Sequence, residues 1–367
     1  MLKAWTNATI FTGKTILHAH AVLTENGLIT SVVPVAEVPA HAVITDLKGA
    51  TLAPALIDLQ IYGGNGGLFP LHPNVATLEA IYAYCKAGGA AFFMPTIPTM
   101  SFDVMLQSIE AVKQYWAQGG EGVLGLHLEG PFMNPEKKGA HLTQYIKSPT
   151  KEDIDWLLEH GRGIIKMMTL APECCDPELV KMLQDAGILI SAGHSNGTYE
   201  QSYQAFENGI TTCTHLFNAM SQLQSRAPGF VGAIYDHPEI NSSIVVDGIH
   251  VDFNAVRISK KIMGSRLFLI TDAVAEGKTG DYIYVEEEDR YVNAQGILAG
   301  SRLTMLQAVR NCITKVGIDP EEALRMGATY PARVAGLGKE LGYIEPGYRA
   351  SMIVLDEQWQ LKQLINE

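Results

Sequence analysis

Four polar residues, each standing at the end of an apolar run, are the part of this sequence most able to do chemistry: Glu129, His194, His215 and Asp272. One carboxylate and two imidazoles are a typical ligand set for a hydrolytic zinc site, which keeps a fourth position open for water. The metal ion can lower the pKa of that water to about 7 and so provide a nucleophile at neutral pH. Asp272 could then act as general base and afterwards as general acid.

Each of these residues also has an ordinary structural explanation when it is taken singly. A lone histidine after a strand is usually hydrogen-bonded or at the surface, and a lone carboxylate there usually caps the next helix. Capping is the weaker explanation for Asp272, because residues 273–278 do not form a clean helix start. The catalytic hypothesis therefore depends on a fold that brings the four residues together.

Further polar residues near the same positions are candidates for supporting roles. His127 lies two residues before Glu129 and points to the same side of its strand, which favours a supporting role over metal binding. His141 could polarise a carbonyl group, although it could equally belong to a solvated basic loop. Donors that could bind phosphate follow later strands, with a surface ion pair as the alternative for the arginine: Asn218, Arg226 and His250.

Eight short apolar runs must position these residues. Each is rich in β-branched or aromatic residues and is followed by a stretch with helical spacing, which is typical of β/α units around a parallel sheet. Eight such units match a (β/α)₈ TIM barrel more naturally than the doubly wound open sheet that periodicity alone also allows. The predicted strands are residues 52–60, 91–97, 123–129, 164–170, 188–194, 211–215, 243–247 and 267–272.

The two ends of the chain share a different pattern, in which short alternating segments are separated by turn signals. We therefore predict an α/β protein with two domains. Residues 1–51 and 336–367 would form a small β-sandwich domain, and residues 52–335 would form the barrel. Residues 278–300 resemble a hairpin inserted after the eighth strand, and a helix is predicted over 302–315.

Composition and charge exclude several classes of protein. The chain of 367 residues has a net charge of -12, which repels nucleic acid and anionic membranes. Its five cysteines are an odd number at no metal-finger spacing, and this favours a reducing compartment. No apolar run approaches the roughly 20 residues that a transmembrane helix needs, and residues 1–10 lack the basic region and long apolar stretch expected of a secretory signal. We expect a cytoplasmic protein with neither nucleic acid nor membrane as a partner.

Six motifs occur in order along nearly the whole chain: GLHLEGPF at 125–132, TLAPE at 169–173, AGHSN at 192–196, THLFNAM at 214–220, VDGIHV at 246–251 and TDA at 271–273. Together they resemble the N-acetylglucosamine-6-phosphate deacetylases of the amidohydrolase superfamily. The resemblance implies hydrolysis of N-acetylglucosamine 6-phosphate to glucosamine 6-phosphate and acetate, in amino-sugar recycling. It also implies metal binding by Glu129, His194 and His215, with Asp272 as the acid/base.

The same resemblance implies a set of substrate contacts. His141 would face the acetyl carbonyl, and Arg226 and His250 would hold the phosphate. The family is also expected to form homodimers, in which Arg226 or His250 reaches the phosphate site of a neighbour. The remaining residues implied to border the sugar are Ala140, Asn218, Ala219, Leu303, Thr304 and Met305.

One departure from the superfamily concerns the number of metal ions. Where many members have a His-x-His pair that supports a second metal, this chain has Gln60-Ile61-Tyr62, and neither Gln60 nor Tyr62 is a good zinc ligand. We regard both as possible vestigial second-metal positions and expect one divalent ion per chain. Zinc is the first expectation, with iron, cobalt and manganese as alternatives.

Two other functions are compatible with the same scaffold. Another cyclic-amide or amine hydrolase of the superfamily would use two metals or a different ligand set. A scaffold protein without catalytic activity would be expected to have lost its ligands, yet all four of the residues named first are present.

Overall fold

The strands of this computed structural model, which describes residues 1–288 and 290–367, fall into five sheets. In chain order they are β1 (Lys3–Thr6), β2 (Thr9–Phe11), β3 (Ile16–Leu17), β4 (His20–Glu25), β5 (Leu28–Pro34), β6 (Val43–Asp46), β7 (Thr51–Pro54), β8 (Leu56–Ile61), β9 (Gly63–Gly64), β10 (Gly67–Leu68), β11 (Ala90–Ile97), β12 (Leu126–Glu129), β13 (Ile165–Leu170), β14 (Leu189–Ala192), β15 (Thr212–Cys213), β16 (Asn241–Ile244), β17 (Leu267–Leu269), β18 (Tyr284–Glu286), β19 (Tyr291–Asn293), β20 (Ser351–Leu355) and β21 (Leu361–Asn366).

Eight of these strands form the parallel sheet that carries the site. Their order is β17-β16-β15-β14-β13-β12-β11-β8, so that each strand pairs with its neighbour in the sequence. The sheet closes beyond β17, where Ile61 and Ala273 form a parallel bridge and the N–H of Asp272 donates to the carbonyl of Gln60 at 3.0 Å. The predicted (β/α)₈ barrel is therefore confirmed, and the open doubly wound sheet is excluded.

The prediction of one strand over residues 52–60 was wrong in one respect, because this segment forms two strands. β7 ends at Pro54 and belongs to the five-stranded sheet, whereas β8 begins at Leu56 and belongs to the barrel. Ala55 marks the change, since its N–H donates to Ser351 and the next N–H donates to Gly89. Both strands are largely buried, so the apolar run continues across the break and gives no signal of it.

Two sheets built from the ends of the chain share one apolar core. The four-stranded sheet has the order β5-β4-β1-β6, and the five-stranded sheet, β21-β20-β7-β2-β3, joins C-terminal to N-terminal strands. Residues of both sheets pack together in that core, which is the expected arrangement of a β-sandwich: Trp5, Ile10, Val22, Ile29, Leu52, Met352, Val354 and Ile365.

Ten helices are present in the described chain, and most of them follow barrel strands: α1 (Val75–Ala87), α2 (Phe102–Ala117), α3 (Lys151–Gly161), α4 (Pro177–Asp185), α5 (Tyr199–Glu207), α6 (Gly229–Asp236), α7 (Phe253–Met263), α8 (Met305–Asn311), α9 (Pro320–Gly327) and α10 (Thr329–Val334). Capping boxes begin α3 and α5 and fix where these helices start. Among the residues described, no helix combines the length and the apolar character needed to cross a membrane.

The predicted insertion after the eighth strand is a hairpin. β18 and β19 pair antiparallel within it, with Tyr284 opposite Asn293. The helix predicted over 302–315 begins later, at Met305, because Thr304 is its N-cap and accepts from the N–H of Gln307.

By compactness the chain separates into two units. One comprises Met1–Asp58, Cys85–Phe92 and Thr304–Glu367, and the other comprises Leu59–Tyr84 and Phe93–Leu303. The second unit contains all the residues of the site described below. The boundaries given above for a sandwich domain, 1–51 and 336–367, stay a prediction.

Ile10 and Ile44 provide a matched test of the sandwich core. Ile10 is fully buried in that core, whereas Ile44 is 62% exposed on β6. We expect Ile10→Ala to lower the free energy of unfolding by about 2–5 kcal/mol, because it removes buried methyl groups and leaves a cavity. Ile44→Ala should change it by less than about 0.5 kcal/mol. Urea unfolding measures both, and equal effects would contradict the packing described here.

Candidate metal centre and active site

One pocket at the carboxyl ends of the barrel strands is lined by most of the residues that the sequence singled out. It contains the four residues of the catalytic hypothesis together with predicted substrate contacts. The predicted residues that line it are Tyr62, Glu129, Ala140, His141, His194, His215, Asn218, Ala219, His250 and Asp272.

Three atoms at the floor of this pocket form a small triangle. Oε1 of Glu129 lies 3.0 Å from Nε2 of His215 and 3.3 Å from Nε2 of His194, and the two Nε2 atoms are 3.1 Å apart. All three residues are at most 4% exposed. An ion with the metal–ligand distances of zinc, about 2.0–2.2 Å, can reach all three atoms at once.

Three residues that line the pocket have an unusual backbone conformation. His194, His215 and Asp272 adopt left-handed φ angles of 48°, 37° and 54°, which residues other than glycine rarely occupy. Each follows the end of its strand, because such a conformation interrupts the extended ladder. Backbone strain of this kind costs about 1–3 kcal/mol per residue and is typical of functional sites.

The protonation of His194 is set by a backbone contact. Nδ1 of His194 lies 2.8 Å from the carbonyl oxygen of Lys137, which can only accept, so the ring donates through Nδ1–H. In a neutral imidazole Nε2 then carries a lone pair. This lone pair faces the Glu129 carboxylate, and a cation between them is what satisfies both. The donor set therefore fits a divalent metal ion.

Burial controls the acid–base character of the site. It lowers the pKa of His194 to about 4, and repulsion from His141 adds to this effect, so the ring is neutral. Burial opposes ionisation of Glu129, but the surrounding His194, His141 and His215 hold its pKa well below the usual range. Burial, followed by the charge of Glu129, raises the pKa of Asp272, which makes it a stronger base than an ordinary aspartate.

His141 has the opposite tautomer to His194. The backbone N–H of Thr99 donates to Nδ1 of His141 at 3.1 Å, so Nδ1 carries the lone pair and the neutral ring has its proton on Nε2. Nε2 lies 3.1 Å from Oε2 of Glu129. One potential ligand atom of each of Glu129, His141 and His194 also lies within 4.8 Å of the other two. The proton on Nε2 of His141 makes that ring a donor and disfavours it as a ligand.

Gln60 and Tyr62 surround the Glu129 carboxylate with donors. Nε2 of Gln60 lies 3.0 Å from Oε1 of Glu129 and 2.9 Å from Oδ1 of Asp272. The phenol of Tyr62 donates to Oε2 of Glu129. Burial and then the charge of Glu129 raise the pKa of Tyr62 well above its usual value, so the phenol keeps its proton. The two side chains therefore occupy space beside the carboxylate as hydrogen-bond donors.

His127 lies beneath this pocket in a buried polar chain. Its Nδ1–H donates to the carbonyl of Leu59 at 3.1 Å, and Nε2 lies 2.8 Å from Oγ1 of Thr169. That hydroxyl in turn contacts Thr214 at 2.7 Å. These bonds cross several strands of the barrel, and burial lowers the pKa of His127 to about 4. A neutral supporting role is consistent with both observations.

The two predicted phosphate ligands lie in different places. His250 lines the pocket, and its Nδ1–H donates to Asp247 at 2.5 Å. Arg226 belongs to an exposed loop and lines a separate groove with Lys137 and Thr198. Within the described chain, therefore, these two residues do not line one pocket.

The run Leu303 to Met305, predicted to border the ligand, has other surroundings. Leu303 and Met305 are buried, and Thr304 caps α8. The carbonyl of Leu303 accepts from the phenol of Tyr84 at 2.8 Å. A contact between this run and the ligand stays a prediction.

Glu173 is a supporting residue to which sequence reasoning gave no role. Its carboxylate accepts from Oγ of Ser195 at 2.7 Å, from the N–H of Asn196 at 2.7 Å and from Nδ2 of Asn134 at 3.0 Å. It thus joins the loops after β12, β13 and β14 next to His194. Its place in the TLAPE motif was the available signal.

Comparisons with known proteins agree with this geometry. The profile of the amidohydrolase family matches residues 51–366, and that of the NagA composite domain matches residues 3–52. The chain is 36% identical over 376 residues to the N-acetylglucosamine-6-phosphate deacetylase of Haemophilus influenzae, covering 98% of this chain and 97% of that protein. It is 31% identical over 367 residues to the N-acetylgalactosamine-6-phosphate deacetylase of Escherichia coli O157:H7, covering 95% and 97%.

A solved structure extends the similarity to the whole fold. The crystal structure of N-acetylglucosamine-6-phosphate deacetylase from Pasteurella multocida superposes with a TM-score of 0.95 at 33% identity, covering 100% of this chain and 98% of that one. The chain therefore belongs to the amidohydrolase family and, within it, to the N-acetylglucosamine-6-phosphate deacetylases.

Proposed function

We propose that this protein hydrolyses the N-acetyl group of N-acetylglucosamine 6-phosphate to give glucosamine 6-phosphate and acetate, in amino-sugar catabolism. The observation that carries the proposal is the buried triangle of Glu129, His194 and His215 beside Asp272, in a chain that matches deacetylases of this specificity along its whole length. We propose these three residues as the metal ligands, with zinc as the ion.

When bound, a divalent ion would supply Lewis acidity and lower the pKa of water to about 7. We propose that Asp272, which lines the same pocket, takes the proton from the attacking water, and its raised pKa supports that role. We propose that Nε2–H of His141, which lies 3.1 Å from Oε2 of Glu129 without substrate, donates to the acetyl oxygen as negative charge develops on it. The water oxygen bonds to the acetyl carbon as its proton passes to Asp272. Asp272 then returns this proton to the amide nitrogen, the C–N bond breaks, and the amine and acetate leave.

The phosphate site is the basis for proposing a homodimer. His250 lines the pocket of its own chain, whereas Arg226 is exposed on a loop outside that pocket. A second copy of the chain could present its Arg226 to this pocket, which supports the dimer implied by the family resemblance. We also propose a cytoplasmic location, which is supported by five cysteines that form no disulfide in the part of the chain that the structure describes.

A second candidate substrate is N-acetylgalactosamine 6-phosphate. The relative from Escherichia coli O157:H7 named for that substrate is 31% identical over nearly the whole chain. The two sugars differ only in the configuration at one hydroxyl group, so the same catalytic residues would serve both.

Acetate release tests the proposed reaction directly. We expect the wild-type protein to release acetate from N-acetylglucosamine 6-phosphate faster than from N-acetylglucosamine or N-acetylgalactosamine 6-phosphate. Chelation should abolish the activity and added Zn²⁺ should restore it, because the ligand set needs its cation. Elemental analysis shows whether the metal has been removed. Undiminished activity in metal-free protein would contradict the proposal.

Asp272→Asn tests the acid/base assignment. We expect this variant to lose turnover by roughly 10²–10⁴-fold, because the amide cannot accept the proton of the water. Substrate affinity and metal content should stay close to wild type. Asp185→Asn, on an exposed residue of α4, serves as the matched control. Near-normal turnover in Asp272→Asn would rule out this role.

Asp247→Asn tests the support of His250. Burial raises the pKa of Asp247, but hydrogen bonds from His250 and from the N–H groups of Ile249 and His250 outweigh it and lower the pKa. A lowered folded-state pKa stabilises the protein above the ordinary value of about 3.9, and the contribution is lost as the pH falls through the lower value. The variant should therefore be less stable by about 1–3 kcal/mol at pH 7.

The difference in the free energy of unfolding between Asp247→Asn and wild type should shrink below about pH 4. Urea unfolding at pH 7 and below pH 4 measures it, and KM for the phosphosugar should rise in the same variant. Asp155→Asn, at an exposed ion pair on α3, is the control and should have little effect at either pH. A destabilisation that grows on acidification would overturn this explanation.

A further inference from the structure

The hairpin inserted after the eighth strand places two buried phenols, those of Tyr282 and Tyr284, in the lining of the pocket. Tyr282 is 3% exposed, and its hydroxyl contacts two other loops. It lies 2.9 Å from the carbonyl oxygen of Thr99, 2.9 Å from Oγ1 of the same residue and 3.3 Å from the N–H of Leu142. The mechanism described above assigns this group no role.

The direction of two of these bonds follows from what each partner can do. A carbonyl oxygen can only accept and a backbone N–H can only donate. The phenol therefore donates its proton to Thr99 and accepts from Leu142. Burial raises the pKa of Tyr282, so the proton needed for the first bond is retained.

Both partners of Tyr282 control the position of His141. The N–H of Thr99 donates to Nδ1 of His141, and Oγ1 of Thr99 lies 3.2 Å from the same nitrogen. Leu142 is the next residue in the chain after His141. One hydroxyl thus joins the group that fixes the tautomer of the ring to the backbone that carries the ring.

We propose that Tyr282 is a positioning residue for catalysis, which holds His141 with its Nε2–H directed into the pocket. The inference rests on the proposed deacetylation, in which that N–H stabilises the developing oxyanion. It gives the inserted hairpin a part in the chemistry through Thr99 and Leu142. Displacement of His141 by a fraction of an ångström would weaken the donor without changing the metal ligands.

A neighbouring tyrosine provides a matched control. The phenol of Tyr145 donates at 2.5 Å to Oδ2 of Asp281, which precedes Tyr282 in the inserted hairpin. This hydrogen bond involves neither Thr99 nor Leu142. Tyr145→Phe therefore removes an attachment of the hairpin by the same chemical change and leaves the contacts of His141 in place.

The experiment compares Tyr282→Phe, Tyr145→Phe, His141→Gln and the double variant Tyr282→Phe/His141→Gln. For each we would measure kcat and KM with N-acetylglucosamine 6-phosphate, bound metal and melting temperature. We expect Tyr282→Phe to lower kcat by between about tenfold and hundredfold, with KM and metal content within a factor of about two of wild type. Tyr145→Phe should retain wild-type kcat.

The double variant decides whether Tyr282 acts through His141. We expect Tyr282→Phe to cause no further loss once His141→Gln is present, because coupled residues are not additive. An equal loss in both backgrounds, or equal kcat in Tyr282→Phe and Tyr145→Phe, would overturn the proposal. Wild-type protein that releases no acetate would instead refute the proposed function, so the two failures are distinguishable.

A second pair of variants covers the case in which Tyr282→Phe does not fold. Thr99→Val removes the hydroxyl that contacts both Tyr282 and His141, whereas Thr99→Ser retains it. We expect the valine variant to lose kcat and the serine variant to keep most of it. Long-range ¹H–¹⁵N spectra of the histidine rings give a readout independent of turnover. Unchanged kcat in the valine variant would contradict the proposal, and so would a change of the His141 tautomer there, because the backbone N–H of Thr99 that donates to Nδ1 is retained.

Discussion

The structure of the site depends on a carboxylate and two imidazoles brought together in a buried position. Glu129 ends β12, His194 and His215 follow β14 and β15, and Oε1 of the carboxylate and the two Nε2 atoms are within 3.3 Å of one another. Burying such groups is unfavourable unless their lone pairs and charge are satisfied. A divalent cation meets that requirement, and the left-handed backbone at both histidines is part of what this arrangement costs the fold.

The division of labour between neighbouring histidines follows from backbone hydrogen bonds. The carbonyl of Lys137 accepts from Nδ1–H of His194, which leaves a lone pair on Nε2 of that ring. The N–H of Thr99 donates to Nδ1 of His141, which leaves the proton of that neutral ring on Nε2. The rings are close, with centroids 4.5 Å apart. His194 is therefore suited to bind a metal ion and His141 to donate to an oxyanion, although the two side chains are chemically identical.

Sequence reasoning found the residues at the strand ends because polar residues that end apolar runs are visible in a single chain. The barrel followed from the repeated β/α pattern. The break at Ala55 was not visible, since the strands on both sides of it are buried. The role inferred for Tyr282 was also out of reach, because its partners lie 140 and 183 residues away and two of them are backbone groups, which leave no trace in residue type.

Anomalous diffraction from crystals of the zinc-loaded protein, measured at the metal absorption edge, tests the central claim most directly. We expect one site per chain, with the ion bound by Oε1 of Glu129 and by Nε2 of both His194 and His215. Nε2 of His141 should stay outside bonding distance. An ion held by Glu129, His141 and His194, or a second ion beside Tyr62, would contradict it.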